Sequence, residues 1–377
     1  MKDKILKYKE KIYIQYYKIV TKIAYMIITK NRAKGCPALT AKEKKQIKDY
    51  WKRTYGKLPN LNEFRWFKKK NGYINPKIIP DLIWHTKIET KFNDMILQKA
   101  FQDKNYFETF LGKENVPNAV VRCINYQLLD DNYLKVQIQE AQRLLKQYDE
   151  VICKPSLESG GGKGIKFFKK QEINEELIYK LIKDYNGNFI VQEIIEQSEF
   201  LNNFNKNSVN TFRITSFLYN GNFKILSSFI RIGNKNSRVD NISSGGYFRK
   251  IYDGVLDKYY IKENLETGDL IKQKIEQEKT NEEQIPYWEE IVEKIRISHF
   301  RIPHFGIVNW DVTLNKENKP IIIEYNLLDS GAYFHQINND PIFGDLTDEV
   351  LKKVGKNRKN VKNWSKSFER NEIVNGK

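Results

Sequence analysis

Apolar residues recur at three- and four-residue spacing through the first part of the chain. Ile5, Tyr8, Ile12, Tyr16, Ile19 and Ile23 fall on one stripe, and Lys4, Lys7, Lys11, Gln15, Lys18 and Lys22 fall on the opposite side. That period predicts one amphipathic helix over residues 4–30. A helix basic on one side and rich in Tyr and Ile on the other either lies on a bilayer surface or packs its stripe against the main body. Residues 31–37 break the pattern, and Thr40 has the character of a cap that starts a second, Lys-rich helix over 40–55. Residues 56–84, with Pro59, Pro76 and Pro80, read as irregular. Helical patterns return over 86–111 and 137–148.

From Val151 the period changes to two. Residues 151–154, 165–169, 189–193, 211–219, 223–232, 307–313 and 320–325 are short β-prone runs, and Asn220-Gly221-Asn222 is a hairpin-type turn. Helices are expected over 174–185 and 286–298. Antiparallel strands with interspersed helices make this an α+β pattern, not a βαβ alternation.

Composition changes the picture mainly through where the charge lies. The 377 residues are 40% apolar and 13% aromatic, which fits a folded chain, and the net charge is +18. Residues 1–56 carry +12 and residues 351–377 carry +7, so the stretch between them is close to neutral at −1. Basic ends attract nucleic acid, anionic lipid or an acidic polymer, or else are a solvated lysine-rich surface. Cys36, Cys123 and Cys153 are widely spaced and odd in number. They form neither a disulfide framework nor a zinc-spaced set, so a reducing, cytoplasmic setting is expected. Lys18 and Lys22 interrupt the apolar region after residue 11, so no secretory-type leader is expected, and no apolar run reaches membrane-spanning length.

Two constellations carry chemistry. Ser159-Gly160-Gly161-Gly162-Lys163-Gly164 joins two expected strands. It differs from a Walker loop, because Lys163 is followed by glycine and the continuation is a strand. A glycine-rich loop between strands can instead fold over phosphates, its backbone N–H groups approaching oxygens closely while Lys163 and the strand residue Lys154 supply charge. The second constellation is the pair of runs 306–314, which contains Asp311, and 320–326, which contains Glu324 and Asn326, separated by the polar turn 315–319. Pairing about that turn makes Asp311 and Glu324 cross-strand neighbours, with Asn326 on the same face. Opposed carboxylates are destabilising without a cation, and three oxygen donors on one face suit Mg²⁺.

Lys154, the glycine loop, Gln192-Glu193-Ile194-Ile195 and Asp311…Glu324-x-Asn326 resemble, in the correct order, the ATP-grasp superfamily. Asn210-Thr211-Phe212-Arg213, Arg231-Ile232-Gly233, Val239-Asp240-Asn241, Gly245-Gly246, Ile79-Pro80-Asp81 and Asp103-Lys104 narrow it to the sugar-transfer-associated, polysaccharide-biosynthesis family. The resemblance covers roughly residues 75–350. It implies an ATP-grasp fold, two α+β subdomains clasping ATP, with an N-terminal helical extension. The expected division is a basic extension over 1–74, an N-terminal and central part over 75–195 that bears the flap, a C-terminal subdomain over 196–350 that bears the metal hairpin, and a basic tail over 351–377.

The resemblance also implies roles. Lys104 and Lys154 would contact ATP phosphates under the flap of Gly160, Gly161, Gly162 and Lys163. Gln192, Glu193 and Ile195 would hold adenine, with Glu193 or Glu199 near ribose. Arg213 would meet the acceptor carboxylate or the transferred phosphate. Arg231 would share the catalytic site or form only an ion pair with Asp240, and Asp311, Glu324 and Asn326 would hold Mg²⁺. The expected reaction is an ATP-dependent carboxylate–amine ligation through an acyl phosphate. Its substrates would be a carboxylate-bearing sugar or polysaccharide and an amine or amino acid, handled in the cytoplasm with peripheral association at the inner membrane surface. Competing readings are a kinase for a sugar hydroxyl or amide, and a non-enzymatic nucleic-acid-binding protein. The basic segments lack base-reading motifs, so no specific nucleic acid is expected. His299, His304 and His335 are expected to be structural or substrate-contacting and not general bases, His335 being the best exception.

Overall fold

The computed structural model describes residues 2–157, 162–235, 237, 238, 240, 245–264, 270–274, 283–328, 331–338 and 340–355. Gly160 and Gly161 of the expected flap, and the basic tail beyond 355, lie outside them.

Helix α1 spans Lys2–Arg32, α2 Ala41–Thr54 and α3 Asn62–Asn71. Thr40 does start α2: its hydroxyl accepts from Glu43 N at 3.2 Å, and Glu43 Oε2 accepts from Thr40 N at 2.7 Å. These reciprocal bonds satisfy two of the backbone donors that a helix start leaves bare. α3 corrects the expectation of an irregular segment. Pro59 and Pro76 bracket this helix instead of interrupting it, Phe64, Trp66 and Phe67 are buried, and Gly72 ends it at φ 80°.

The long helical pattern expected over 86–111 is also broken. Asp81–Ile83, a π-turn at Trp84–Glu89 and Thr90–Phe92 run together, and then Asn93 leaves the helix. Asp94 Oδ1 accepts from Ile96 N and Leu97 N, and Asp103 Oδ1 accepts from Asn105 N. Short acidic side chains that bond the backbone compete with helix continuation, and only short turns follow.

Among the described residues, twelve strands form two antiparallel sheets. In chain order they are β1 (Ala119–Ile124), β2 (Gln127–Leu129), β3 (Glu150–Pro155), β4 (Lys166–Lys169), β5 (Phe189–Glu193), β6 (Thr211–Tyr219), β7 (Asn222–Ile232), β8 (Tyr247–Tyr252), β9 (Val255–Glu263), β10 (Leu270–Lys274), β11 (Ile307–Leu314) and β12 (Pro320–Asn326). The first sheet has order β2-β1-β5-β3-β4, and the second β10-β9-β8-β7-β6-β11-β12. Helices Ile138–Leu145 and Glu175–Asp184 share a core with the first sheet through Ala141, Leu145, Ile178 and Leu181.

The alternation of side chains along the second sheet positions the site. Ile214 on β6 and Val308, Trp310 and Val312 on β11 pack with Ile291 and Ile295 of helix Trp288–Arg301. The alternate residues change character along the strand. Phe217 and Ile307 join a core with Trp51, Phe64, Trp84 and Phe343, so α2, α3 and the C-terminal helix Thr347–Val354 close that end. Further along the same face come Thr215 and Arg213 on β6 and Asn309 and Asp311 on β11. Asn93 clamps the start of β11 to the residue that follows β12. Its side chain accepts from Ile307 N at 2.9 Å and donates to Ile307 O at 2.8 Å and to Leu327 O.

α1 meets the body through α3 and the Asp81–Glu89 turns, using Thr21, Tyr25, Thr29 and Arg32. The stripe of Ile12, Tyr16, Ile19 and Ile23 is exposed, so it does not pack on the body. The packed face lies opposite, because the residues at the intervening positions reach the body first.

Candidate active site

A cleft of about 690 Å³ runs between the two sheets. The first sheet contributes Ile152 and Lys154 on β3, Phe167 on β4 and Glu193 on β5, with Gly162 and Lys163 from the loop between β3 and β4. The chain crosses to the second sheet along Ile194, Ile195, Gln197 and Glu199, which line the cleft floor. The second sheet brings Thr211, Arg213, Arg231, Asp311, Glu324 and Asn326. Lys104 enters from the segment before β1; its backbone N–H donates to Ser156 O at 3.1 Å.

The structure therefore gathers most of the expected site residues around one space. Among the described residues, Gln192 is the exception. Its side chain is buried and donates to Pro117 O at 3.1 Å, so it braces the wall without lining the cleft. Glu193 accepts from Asn118 Nδ2 at 2.8 Å. Gln197 holds the crossing rigid: its amide donates to Asn202 Oδ1, Asn205 O and Ser208 O, while Oε1 accepts from Asn210 N.

Asp311 pairs in register with Arg213 on one side and Glu324 on the other. A bulge between Asp311 and Val312 keeps the two carboxylates opposed, with Asn326 across from Asn309. Arg213 binds both oxygens of Asp311, and Arg231 Nη2 lies 3.2 Å from Asp311 Oδ2 and from Asp240 Oδ2. Burial alone would push the Asp311 carboxyl up, but Arg213 and Arg231 hold it below its ordinary value. Asp240 is pushed up by burial in spite of Arg231, and its carboxylate is held by Thr211. Lys104 Nζ lies 3.1 Å from Glu324 Oε1. Burial, with Lys104 nearby, lowers the Lys154 ammonium to about 8 against the pull of Glu324.

This charge arrangement refines the cross-strand argument. Arg213, Arg231 and Lys104 neutralise the opposed carboxylates, so a metal is not what keeps them compatible. The donor set still fits Mg²⁺: two carboxylates and an amide, all oxygen donors, converge on one face. Among the described residues no group of three or more His, Cys, Asp or Glu forms a self-sufficient metal cage. A hard cation here would need waters and phosphates to complete its shell, which is how Mg²⁺ is commonly held.

The histidines stand apart. His299 is sandwiched between Ser216 Oγ at 2.8 Å and Phe305 O at 2.7 Å, and burial lowers it to about 4. His335 is buried against Phe229 and Phe334, outside the cleft lining.

Some lining residues had no signal in the sequence. Arg238 donates to both oxygens of Glu150 at 2.6 and 2.7 Å and lies 3.6 Å over the Phe167 ring, bridging the two sheets at the cleft edge. Lys206, Asn207 and Lys316 line the same edge. Pairs so far apart in sequence share no periodicity, and only the folded chain brings them together.

Over residues 84–354 the sequence matches the model of the sugar-transfer associated ATP-grasp proteins. The chain belongs to that family. The two sheets closing on one cleft are accordingly the halves of an ATP-grasp fold, with α1–α3 as an N-terminal helical addition. No curated protein matches the sequence. Among solved structures, the ATP-grasp ligase PsnB with its minimal precursor shows 11% identity over 69% of this chain and 62% of its own, at a TM-score of 0.38. The L-amino acid ligase from Bacillus licheniformis shows 14% identity over 67% and 47%, at 0.35. D-alanyl-alanine synthetase A from Vibrio cholerae shows 11% over 68% and 66%, at 0.39. The chain spans 62% and 47% of the length of the first two. PsnB has also been solved with Mg and ADP. The family match, not these distant likenesses, establishes the family.

Proposed function

We propose that this chain is an ATP- and Mg²⁺-dependent carboxylate–amine ligase that activates its carboxylate as an acyl phosphate. The observation that carries this reading is the convergence of Lys104, Lys154, Arg213 and Arg231 on Asp311, Glu324 and Asn326 in one cleft. Four cationic side chains facing three oxygen donors suit a polyphosphate with its metal, and the apolar wall of Ile152, Ile195 and Ile323 suits a purine ring. The backbone of 193–195 would hold adenine, with Glu193 or Glu199 toward ribose.

In this reading Lys104 and Lys154 bind and orient the phosphates, while Gly162 and Lys163 belong to the loop that closes over them. Arg213 orients the acceptor carboxylate or the transferred phosphate, and Arg231 supports it through the shared Asp311. Glu324, Asn326 and Asp311 would hold Mg²⁺, which supplies charge neutralisation to the phosphates when bound. Closing the cleft excludes water that would hydrolyse an acyl phosphate. A covalent enzyme nucleophile is not needed. All three cysteines are buried, and burial pushes the Cys123 thiol up to about 11 and the Cys153 thiol up to about 12.

The acceptor follows from the family's association with sugar transfer: a uronic acid of a surface polysaccharide or its precursor, joined to an amine or amino acid in the cytoplasm near the inner membrane face. The test is Mg²⁺-dependent ADP formation with pooled uronic acids and amino acids, in wild type and Glu324→Gln. Turnover that requires both pools and falls in the variant supports the ligase. Phosphorylation of a sugar without any amine would replace it with the kinase.

A further inference from the structure

α1 has two sides with opposite fates. Toward the body, Thr21 and Thr29 are buried, Tyr25 packs against His85 in a tilted arrangement with ring centroids 4.4 Å apart, and Arg32 binds Asp81 at 3.0 Å. Turned away from the body are Ile12, Tyr16, Ile19, Ile23, Met26 and Ile27, with exposures between 49% for Ile19 and 68% for Tyr16. At 100° per residue these six fall within one arc of the helix. A contiguous exposed apolar face of this size marks an interaction surface.

The occupant follows from charge. Lys22 lies at the border of the apolar arc, with Lys9 and Lys30 near its ends, all three exposed, and residues 1–56 carry a net +12. Two such faces brought together would bring two strongly positive segments together, which opposes a second copy as partner. No described helix is long and apolar enough to cross a membrane, so a bilayer partner would be met at its surface. We propose that α1 lies in the headgroup layer of an anionic bilayer, its Ile and Tyr face immersed and its lysines against lipid phosphates. The 31-residue helix offers about 45 Å of contact length. Because the body is held on the opposite side, the helix can dock without giving up Tyr25, Thr29 or Arg32.

The test uses the full chain and vesicle flotation. Wild type should float with phosphatidylcholine vesicles that contain phosphatidylglycerol and remain behind with phosphatidylcholine alone. The double substitution Ile19→Glu and Ile23→Glu should weaken flotation by about tenfold or more, and high salt should weaken the wild type. Both positions are exposed, so an unchanged Tm shows that the variant is folded. Equal flotation of variant and wild type overturns the proposal. So does absence of flotation, and so does a concentration-dependent dimer that the double variant abolishes, which would assign the face to a second copy. Flotation needs neither nucleotide nor acceptor, so its outcome is separate from that of the ligase assay.

Discussion

Arg213 and Asp311 face each other in register across β6 and β11, joined through both carboxylate oxygens, with Nη2 to Oδ2 at 2.8 Å. Arg231 shares the same carboxylate. Asp311→Ala would thus leave Arg213 without its counter-ion and Arg231 with Asp240 alone, which costs about 3–5 kcal/mol for a buried pair broken from one side. Denaturant unfolding should show this loss, so lost activity in Asp311→Ala would not by itself identify a metal ligand.

Glu324 makes the sharper test, because its side chain is 27% exposed and meets Lys104 at the cleft wall. Glu324→Gln should stay within about 1 kcal/mol of wild-type stability, as expected for a partly exposed pair. Its Mg²⁺-dependent ADP formation should fall by about tenfold or more, with a raised Mg²⁺ requirement. Unaltered metal dependence in a titration of activity against Mg²⁺ would remove Glu324 from the ligand set.

Lys154 predicts how nucleotide affinity varies with pH. Burial lowers its ammonium to about 8, and phosphates arriving beside it would raise that value again. A group whose pKa rises on binding contributes fully below its free value and loses the contribution as pH rises through its bound value. Affinity for ATP should therefore be level up to about pH 8 and weaken above it, by up to about tenfold per unit of pKa change. Lys154→Arg stays charged, so its affinity measured by competition binding should remain flat over the same range.

His299 gives a stability signature with the same logic and the opposite direction. Its folded value of about 4 lies below the ordinary 6.5, so the folded state resists the proton that the unfolded chain accepts. The stabilisation is complete above about pH 6.5 and lost as pH falls toward about 4, a change of about 3 kcal/mol. Urea unfolding at intervals across that window should show the decline in wild type and a shallower one in His299→Gln.

Asn93 ties the start of β11 to the end of β12 through Ile307 and Leu327. Asn93→Ala should cost about 1–3 kcal/mol for each buried backbone group left unsatisfied. A lowered Tm with weakened Mg²⁺ dependence is the expected pair of results, since the hairpin that bears Asp311 and Glu324 loses its clamp.

Legibility in the sequence followed locality. The hairpin was readable because Asp311 and Glu324 flank a short polar turn, and β5 and β6 span the expected 189–193 and 211–219. β8, β9 and β10 carry no clear strand pattern: Arg249, Lys250 and the lysines at 258 and 262 interrupt their apolar alternation, and pairing with β7 supplies the order that the pattern lacks. α3 was hidden by prolines outside its ends. The cations that neutralise Asp311 were recognised as site residues, but their contact with it was not. Arg213 precedes Asp311 by 98 residues, and no spacing rule spans that distance.

Arg32 sets where the chain can be shortened. It is the last residue of α1, and its guanidinium lies 3.8 Å from the Tyr333 ring while it binds Asp81. Asp81 in turn accepts from Ala332 N and Tyr333 N in the segment that follows β12, and its own N–H is held by Glu63. Trimming away the exposed helix up to residue 35 would strand two neighbouring buried carboxylates and loosen the exit from the catalytic hairpin. A cut that keeps Arg32 and its preceding turn would spare the enzyme, so the helix can be disarmed by substitution but not simply removed.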